Sequence, residues 1–538
     1  MISLCAFFVP FFVYLLSLSP TISFRDSGEL ITSSWTLGIS HPPGYPLFNI
    51  LGKLFMTIIP IGEIAFRMNL LSSIAASTTA ILIFFIVKTI LPKNNFLFPI
   101  FSAFTLAFLP LFWEHSVISE KYILNCLFFS LIVFLLVKLE KYHSRFYLYL
   151  FSFFLGLSFT HHFQTIFIVP ASIFLILTIS LKSRKKIKIQ SQKPKAILLR
   201  IPYSAIFNLL LIALLFILPI ALWFYLPIRA YVNPPLNWGD PDTLDKFKDH
   251  ILVKHYRSYF VGSIKQQVLN LVSHLNFFST QFKITLIFSI IGWIFLFIKK
   301  RNVFFFFFII LATNISYSIR YNIPNIEDYY LPSFIIFASL SGYGLSFIPI
   351  RKFAFIFLVF PLFSLVSQYE KIEKSSYYYA YDLGENILRD LDKNPVIFES
   401  SDNLSSPILY QRFVLNKRTD CLQISLPFLQ HPWYTALLQE IYPKKFSFSI
   451  TKATKVLTLS DYLGGFIDHN IDSSIYIDSP NYITTHNVFP AGLFYKVAFL
   501  QKKDISYKIR GQDKAKDQDS QITLENYNIA NSLLKIVD

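Results

Sequence analysis

The sequence predicts a polytopic α-helical membrane protein that ends in a small soluble α/β domain. Three observations carry this. The 538-residue chain is 54% hydrophobic and only 15% charged, with a mean hydropathy of +0.49, too apolar for a soluble protein of that size. Apolar runs approaching the roughly 17–25 residues that cross a bilayer as a helix recur through the first two thirds of the chain. Beyond residue 369 those runs stop, and amphipathic and alternating patterns replace them.

About eleven transmembrane helices are expected, at Ile2–Ser19, Asn69–Val87, Phe96–Phe112, Ile123–Val137, Phe146–Phe159, Phe163–Leu181, Ser204–Leu226, Ile284–Ile298, Val303–Tyr317, Leu331–Pro349 and Phe353–Val366. Leu47–Ile61 is a weaker run, broken by Lys53 and flanked by Pro46 and Pro60, which reads as a helix lying along the interface. Alternating the loops from a cytoplasmic N-terminus puts Lys88/Lys93, Lys138/Lys141/Arg145, Lys182 to Arg200, Lys299-Lys300-Arg301 and Arg351-Lys352 on one side. These hold 18 basic residues against one acid, Glu140, the excess expected of cytoplasmic loops. The net charge of +17 is thereby accounted for, and no nucleic-acid partner is implied. The Ser183–Lys195 run reads as a solvated cytoplasmic linker.

The tail opens with an amphipathic pattern over Tyr377–Asp392. Pro395–Glu399, Cys421–Ser425 and Ser474–Asp478 read as strands, and a helix over Ser405–Val414 makes the first two a βαβ unit. The expected organisation is a transmembrane domain over 1–369, with a first outer loop at 20–68 and a large outer loop at 227–283, and a non-cytoplasmic α/β domain over 370–538. Gly464-Gly465 fits neither the dinucleotide nor the Walker pattern. Cys5 and Cys126 lie in apolar runs and Cys421 stands alone, so no disulfide framework or cysteine metal site is available.

The same alternation places the unusual polar residues on the non-cytoplasmic side: Asp26, Glu29 and His41; Glu114, His115, Glu120 and Lys121; His161-His162; Arg229 through Trp238, Asp240 and Arg257; and Arg320 with Glu327-Asp328. Ionisable side chains at the edge of the hydrocarbon cost free energy unless they face water, a partner or a substrate, so they mark a candidate site. For Asp26 and Glu29 the plainer explanation is a capping box, with Asp26 as N-cap and Glu29 at N3. His41, within a Pro-Pro-Gly turn, either binds acceptor or phosphate or serves only turn rigidity. Adjacent His161 and His162 diverge by about 100° on a helix and make a poor metal pair. A site on this face has no cytoplasmic nucleotide sugar or ATP at hand, so an activated substrate would be lipid-linked. Sugar transfer from a polyprenyl phosphate needs a base for the acceptor hydroxyl and cations for the leaving phosphate. Asp26 and Glu29 are the candidate catalytic acids. Arg229, Arg257, Arg320 and Lys121 are the candidate phosphate ligands, and Trp238 could stack on a sugar.

Asp26-Ser27-Gly28-Glu29, Leu37 to Pro46, Ala65 to Ser72, Leu226 to Ala230 and Asn233 to Pro241 together resemble the membrane protein O-mannosyltransferase-like family, relatives of the eukaryotic plexin O-mannosyltransferase, in the GT-C superfamily. The likeness continues through Phe112-Trp113-Glu114, His161-His162, Tyr329 to Pro332 and Tyr378 to Asp382, covering about residues 20–435. It implies a GT-C-like fold and an inverting glycosyltransferase with Asp26 in the place of the first-loop catalytic acid and Glu29 in the second acidic position. The substrate-binding positions are then His41, Glu114, His161, His162, Arg229, Trp238, Asp240, Arg257 and Arg320. Arg25 is a departure, since an aromatic often precedes the Asp in relatives; a cation there would keep the acid ionised.

The resulting expectation is transfer of mannose or another hexose from a polyprenyl-phosphate donor to an acceptor hydroxyl, with protein Ser/Thr as one acceptor, in a bacterial inner membrane. The alternatives are a lipid or glycan glycosyltransferase of the same superfamily and a lipid-linked-sugar transporter. A divalent metal is the one cofactor left open.

Overall fold

The computed structural model describes residues 2–92, 95–190, 203–260, 262–349, 351–448 and 458–497. Lys93, residues 191–195 of the expected linker and everything after Val497 lie outside them, and the first part of that linker is instead the end of the helix Val169–Gln190. Among the described residues six helices are long and apolar enough to cross a membrane: Ile64–Ile90, Lys121–Tyr142, Phe163–Lys182, Ile206–Ala230, Arg301–Ser318 and Phe353–Ile372. Counting two sharply bent pairs as one span each raises the number to eight. Ile2–Leu16, Arg145–Phe159 and Leu331–Leu345, expected as spans, form helices of 15 residues each, about 22 Å at 1.5 Å per residue and short of a ~30 Å hydrocarbon layer.

One of the bent pairs corrects an expected boundary. Phe96–Phe112 is not one helix: Leu97–Ala107 ends at Phe108, and Pro110 starts a new helix, Pro110–Ser116, turned by 71°. Proline is suited to a first helical turn and not to an interior. The break carries Trp113 and His115 inward, where both are buried.

The Leu331–Leu345 helix is the hub of the bundle, buried along nearly its whole length. Its small residues let neighbours approach: a Cβ on Gly344 would lie 1.9 Å from the Phe288 carbonyl on the Thr285–Lys299 helix, the close backbone contact that membrane interfaces favour. Ile206–Ala230 and Phe353–Ile372 instead present mostly exposed apolar faces, as lipid-facing helices do. The basic loops gather at one end of the bundle, where Lys141 Nζ donates to the Thr89 carbonyl at 2.9 Å and Asn302 Nδ2 to Glu140 at 3.3 Å.

The tail forms a five-stranded sheet in the order β2-β1-β3-β5-β4. β1 (Val396–Glu399) pairs in parallel with β2 (Leu422–Ser425) and with β3 (Ile475–Ile477). β5 (Phe494–Val497) runs antiparallel to β3 and to β4 (Val488–Ala491). The βαβ unit expected from the sequence is present, with Asp402–Phe413 as its helix. β4 and β5 were not expected: each has four residues, and Pro490 interrupts the first.

This domain docks on the first loop through the Asp402–Phe413 helix. Gly28 permits the approach, because a Cβ there would sit 2.5 Å from the Ser406 carbonyl. The Arg25 amide donates to Asn403 Oδ1 at 3.0 Å and the Ala65 amide to the Tyr410 hydroxyl at 3.3 Å.

Candidate active site at the junction of loop and tail domain

The helix Ser27–Thr36 follows Arg25, which holds φ at 64°, and Asp26 occupies its N-cap position. No capping box forms. Asp26 makes no side-chain cap hydrogen bond and its Oδ2 accepts from Lys121 Nζ. Glu29 reaches forward to the next turn: Oε1 accepts from the His41 amide at 2.7 Å and Oε2 lies 2.9 Å from His41 Nδ1. The other imidazole nitrogen is 3.0 Å from the Tyr45 hydroxyl and 3.8 Å from Asp26 Oδ2.

Two devices hold this geometry. The 36–45 turn is pinned by buried Asn49, whose amide donates to the carbonyls of Gly38 at 3.3 Å and Gly44 at 3.1 Å and whose oxygen accepts from Ser33 and Ser34. At the other end of the helix, Arg229 Nε donates to the Leu37 carbonyl at 2.5 Å and Nη2 to Thr36 at 3.4 Å, so a guanidinium satisfies carbonyls that a helix C-terminus leaves free. Asp240 is buried, 2.6 Å from Lys246 Nζ and 3.0 Å from the Asn237 side-chain amide.

The electrostatics follow from this packing. Burial alone would raise the Asp26 pKa, but Lys121, with His41 and Arg25 behind it, holds the carboxyl well below the usual carboxylate range. Burial would lower that of His41, and Glu29 and Asp26 overcome it, so the imidazole is raised above its ordinary value. Glu120, 2% exposed with both oxygens lacking a hydrogen-bond partner, is pushed up to about 7 by burial, against Lys121 3.8 Å away. Burial pushes His161 down to about 4 and His162 well below its ordinary value; they stack on Phe48 and Tyr45 respectively.

A cleft of about 1060 Å³ opens over these groups. Arg25, Asp26, Glu29, His41, Lys121 and Arg257 line one wall, and Glu399, Asp402, Arg412, Gln423 and Trp433 of the tail domain line the other. Asp402 lines the cleft from the first turn of its helix; although its surface is exposed to solvent, the protein around it, together with Asp26 and Glu29, pushes it up to about 6.

Of the residues expected from the sequence, Asp26, Glu29, His41, His162, Trp238 and Arg257 line this cleft. Arg229 does not: it is spent on the helix C-terminus. Arg320 is exposed and also outside the cleft. His161 sits behind the lining with Nε2 2.9 Å from the Lys121 carbonyl, and Glu114 and Asp240 also lie off it. Trp238 is 8% exposed and packed against Trp433 and Phe428 of the tail domain, so a sugar would meet this aromatic cluster and not Trp238 alone. The donors of Asp26, Glu29 and His41 lie within 4.8 Å of one another, a spacing that three cation ligands could have. They are engaged already, by Lys121 and by the Glu29–His41 bond, so a divalent ion would have to displace both.

Asp328, grouped by the sequence with the outer-side polar residues but given no role, sits 2.7 Å from His115 Nε2 and 3.6 Å from Arg25; the whole tail-domain wall was missed. The signal for the wall was legible: Glu399-Ser400-Ser401-Asp402 follows the first strand of a βαβ unit, and ligands of open α/β sheets bind outside the carboxyl ends of strands.

Residues 26–186 match the family model described as protein O-mannosyl-transferase TMEM260 N-terminal domain. The mouse protein O-mannosyl-transferase TMEM260 is 38% identical over 129 residues, 24% of this chain and 18% of its own length. The Dictyostelium discoideum protein of that name is 27% identical over 266 residues, 45% of this chain and 29% of its own. The chain thus spans less than a third of either relative. ArnT from Cupriavidus metallidurans in the apo state superposes with a TM-score of 0.60 at 10% identity, covering 92% of this chain and 96% of ArnT. Its undecaprenyl phosphate complex gives 0.58 at the same identity, covering 92% and 97%. Residues 26–186 are thus similar to the TMEM260 N-terminal domain, and the chain as a whole carries the membrane fold seen in ArnT.

Proposed function

We propose that the protein is a membrane glycosyltransferase that moves a hexose from a polyprenyl-phosphate donor to an acceptor hydroxyl on a protein. The observation that carries this reading is the withdrawal of Asp26 from its helix cap into a cleft beside Lys121, Arg25 and Arg257. The relatives named as protein O-mannosyl-transferases support the sugar and the acceptor class. An undecaprenyl phosphate complex of a protein with the same fold supports the donor class.

In this mechanism Asp26, ionised throughout the neutral range, accepts the proton of the acceptor hydroxyl. The oxygen attacks the sugar's anomeric carbon from the face opposite the phosphate, the carbon–oxygen bond to phosphate breaks, and polyprenyl phosphate leaves. A single displacement inverts the anomeric centre. An arriving donor phosphate gives Lys121 a second anion to pair with, which frees Asp26 to act as base. His41, with its raised pKa and Glu29 behind it, adds a further cation near the leaving group. We place the cleft and tail domain on the non-cytoplasmic face of a bacterial inner membrane, since the basic loops meet at the opposite end of the bundle.

A transporter of lipid-linked sugar would carry its ionisable groups at mid-membrane between repeated halves. Two helix pairs here are sharply bent, yet the acids gather outside the spans. The test is incubation of purified protein with labelled polyprenyl-phosphate hexoses and membrane extract, with identification of the labelled product. Label on protein, lost with Asp26→Asn in a protein that still inserts and folds, is the expected result. A fully active Asn variant would overturn the role of Asp26, and label crossing vesicles without transfer would favour the transporter.

A further inference from the structure

The tail-domain wall of the cleft carries more unmet hydrogen-bonding capacity than a structural cap needs. Glu399 ends β1 and is 1% exposed, yet neither carboxylate oxygen has a hydrogen-bond partner; the Gln423 amide beside it donates to the carbonyl and hydroxyl of Ser405 at 3.2 Å instead. Arg412, 6% exposed, gives one guanidinium nitrogen to the Cys421 carbonyl and leaves Nε unmatched. Gln423 Oε1 and Trp433 Nε1 are also unmatched. All four side chains line the cleft. Leaving such groups buried and unsatisfied is unfavourable, so their concentration in one wall of a cleft points to a ligand that completes them. Glu399 stands at the carboxyl end of β1, where sheets of this kind bind ligands, and Arg412, bonded to the carbonyl just before β2, extends the crevice toward the amino end of that strand.

What the ligand must look like follows from the mixture. It has to offer donors to Glu399 and Gln423 and acceptors to Arg412 and Trp433, while the surface between them is apolar: Leu409, Phe413, Leu437 and Leu438. A glycan carries hydroxyls around the rim of each ring, and its apolar C–H faces suit flat aromatic rings better than the branched leucines between these polar groups. A polypeptide presents N–H and C=O groups at regular intervals with apolar side chains between them. We propose that this crevice is the acceptor subsite and that it binds a polypeptide segment flanking the hydroxyl residue, with Glu399 and Arg412 hydrogen-bonding its main chain. This rests on the glycosyltransferase reading above for the identity of the reacting hydroxyl, but the binding itself does not depend on catalysis.

The experiment measures binding of fluorescent Ser/Thr peptides, alone and in competition with soluble oligosaccharides, to the full-length protein in lipid nanodiscs in the Asp26→Asn background. The same binding is measured with Glu399→Gln and Arg412→Gln added, and the KM values for peptide and donor are measured with Glu399→Gln in the wild-type background. Peptide binding that weakens about tenfold with Glu399→Gln, equivalent to ~1.4 kcal/mol, and a peptide KM that rises while the donor KM holds, support the subsite. Melting temperature identifies a variant that has merely lost its fold; because Glu399→Gln is isosteric, it decides if Arg412→Gln unfolds. Peptide binding indifferent to Glu399→Gln, or displacement by oligosaccharide alone, overturns the proposal and leaves sugar transfer standing. Glu399-dependent peptide binding in a protein that transfers no sugar supports the subsite and instead removes the enzymatic reading.

Discussion

Two helices in this molecule begin with the same kind of sequence and end up doing different things. Thr458 and Asp461 open the helix Leu459–His469 with a formed capping box: the Asp461 amide donates to Thr458 Oγ1 at 3.2 Å, and the Thr458 amide to Asp461 Oδ2 at 3.2 Å. Asp26 and Glu29 have the same spacing at the start of Ser27–Thr36, but neither caps. One is held by Lys121 and the other by His41. A helix start that forgoes its cap loses about 1 kcal/mol, and the loss marks where a carboxylate is committed elsewhere. The contrast teaches that the pattern alone does not tell a capping acid from one held by a side chain elsewhere; the partner across the fold does.

Substitutions at the two helix starts break or sharpen that contrast. The largest effect is expected at Asp26: Asp26→Asn lowers transfer by about 10²–10⁴-fold, the usual contribution of a positioned base, with the melting temperature little changed. Assays with saturating labelled donor read this directly. Next comes Lys121→Met, which leaves Asp26 without its main cation. The Asp26 pKa then rises, so the acid limb of the rate profile moves to higher pH. Stability responds with the sign set by linkage. A carboxyl whose folded pKa is depressed stabilises above its unfolded value near 4 and loses that contribution as pH falls through the folded one, so the variant is destabilised at neutral pH and the gap to wild type closes in acid.

A smaller effect is expected from Glu29→Gln. His41 loses the carboxylate that most raises its pKa, and the alkaline limb of the rate profile moves to lower pH. An unmoved limb would remove His41 from the phosphate side of the reaction. Asp402→Asn reports on the facing wall: with its pKa pushed up to about 6, the wild-type carboxyl favours folding when protonated, so it makes stability fall as pH rises from about 4 to 6. Denaturation midpoints across that window should flatten in the variant. The smallest effect closes the comparison. Thr458→Ala should cost about 1 kcal/mol of stability and leave transfer untouched.

Much of this was legible in the chain. The spans at Ile123–Val137 and Val303–Tyr317 and the βαβ unit of the tail follow from hydropathy and alternation, because burial in lipid or against a sheet leaves a periodic record. Asp26, Glu29 and His41 stood out because charge at a membrane edge needs a reason. Arg229 was misread as a phosphate ligand since nothing in its neighbourhood shows that the carbonyls of Thr36 and Leu37, almost 200 residues earlier, claim its guanidinium. Glu399 and Arg412 were passed over because their significance lies in partners they lack.

The amino-acid sequence by itself determined which segments are apolar enough for lipid, which loops are basic, and which few acids stand at the edge, since these depend on residue type and short-range period. The tertiary structure alone decided that Lys121 rather than a backbone amide takes Asp26, that Gly28 lets the tail domain settle onto the first loop, and that one cleft has walls from both. Those outcomes depend on side chains brought together from distant points in the chain, where distance and burial, not composition, set the energy of each pairing.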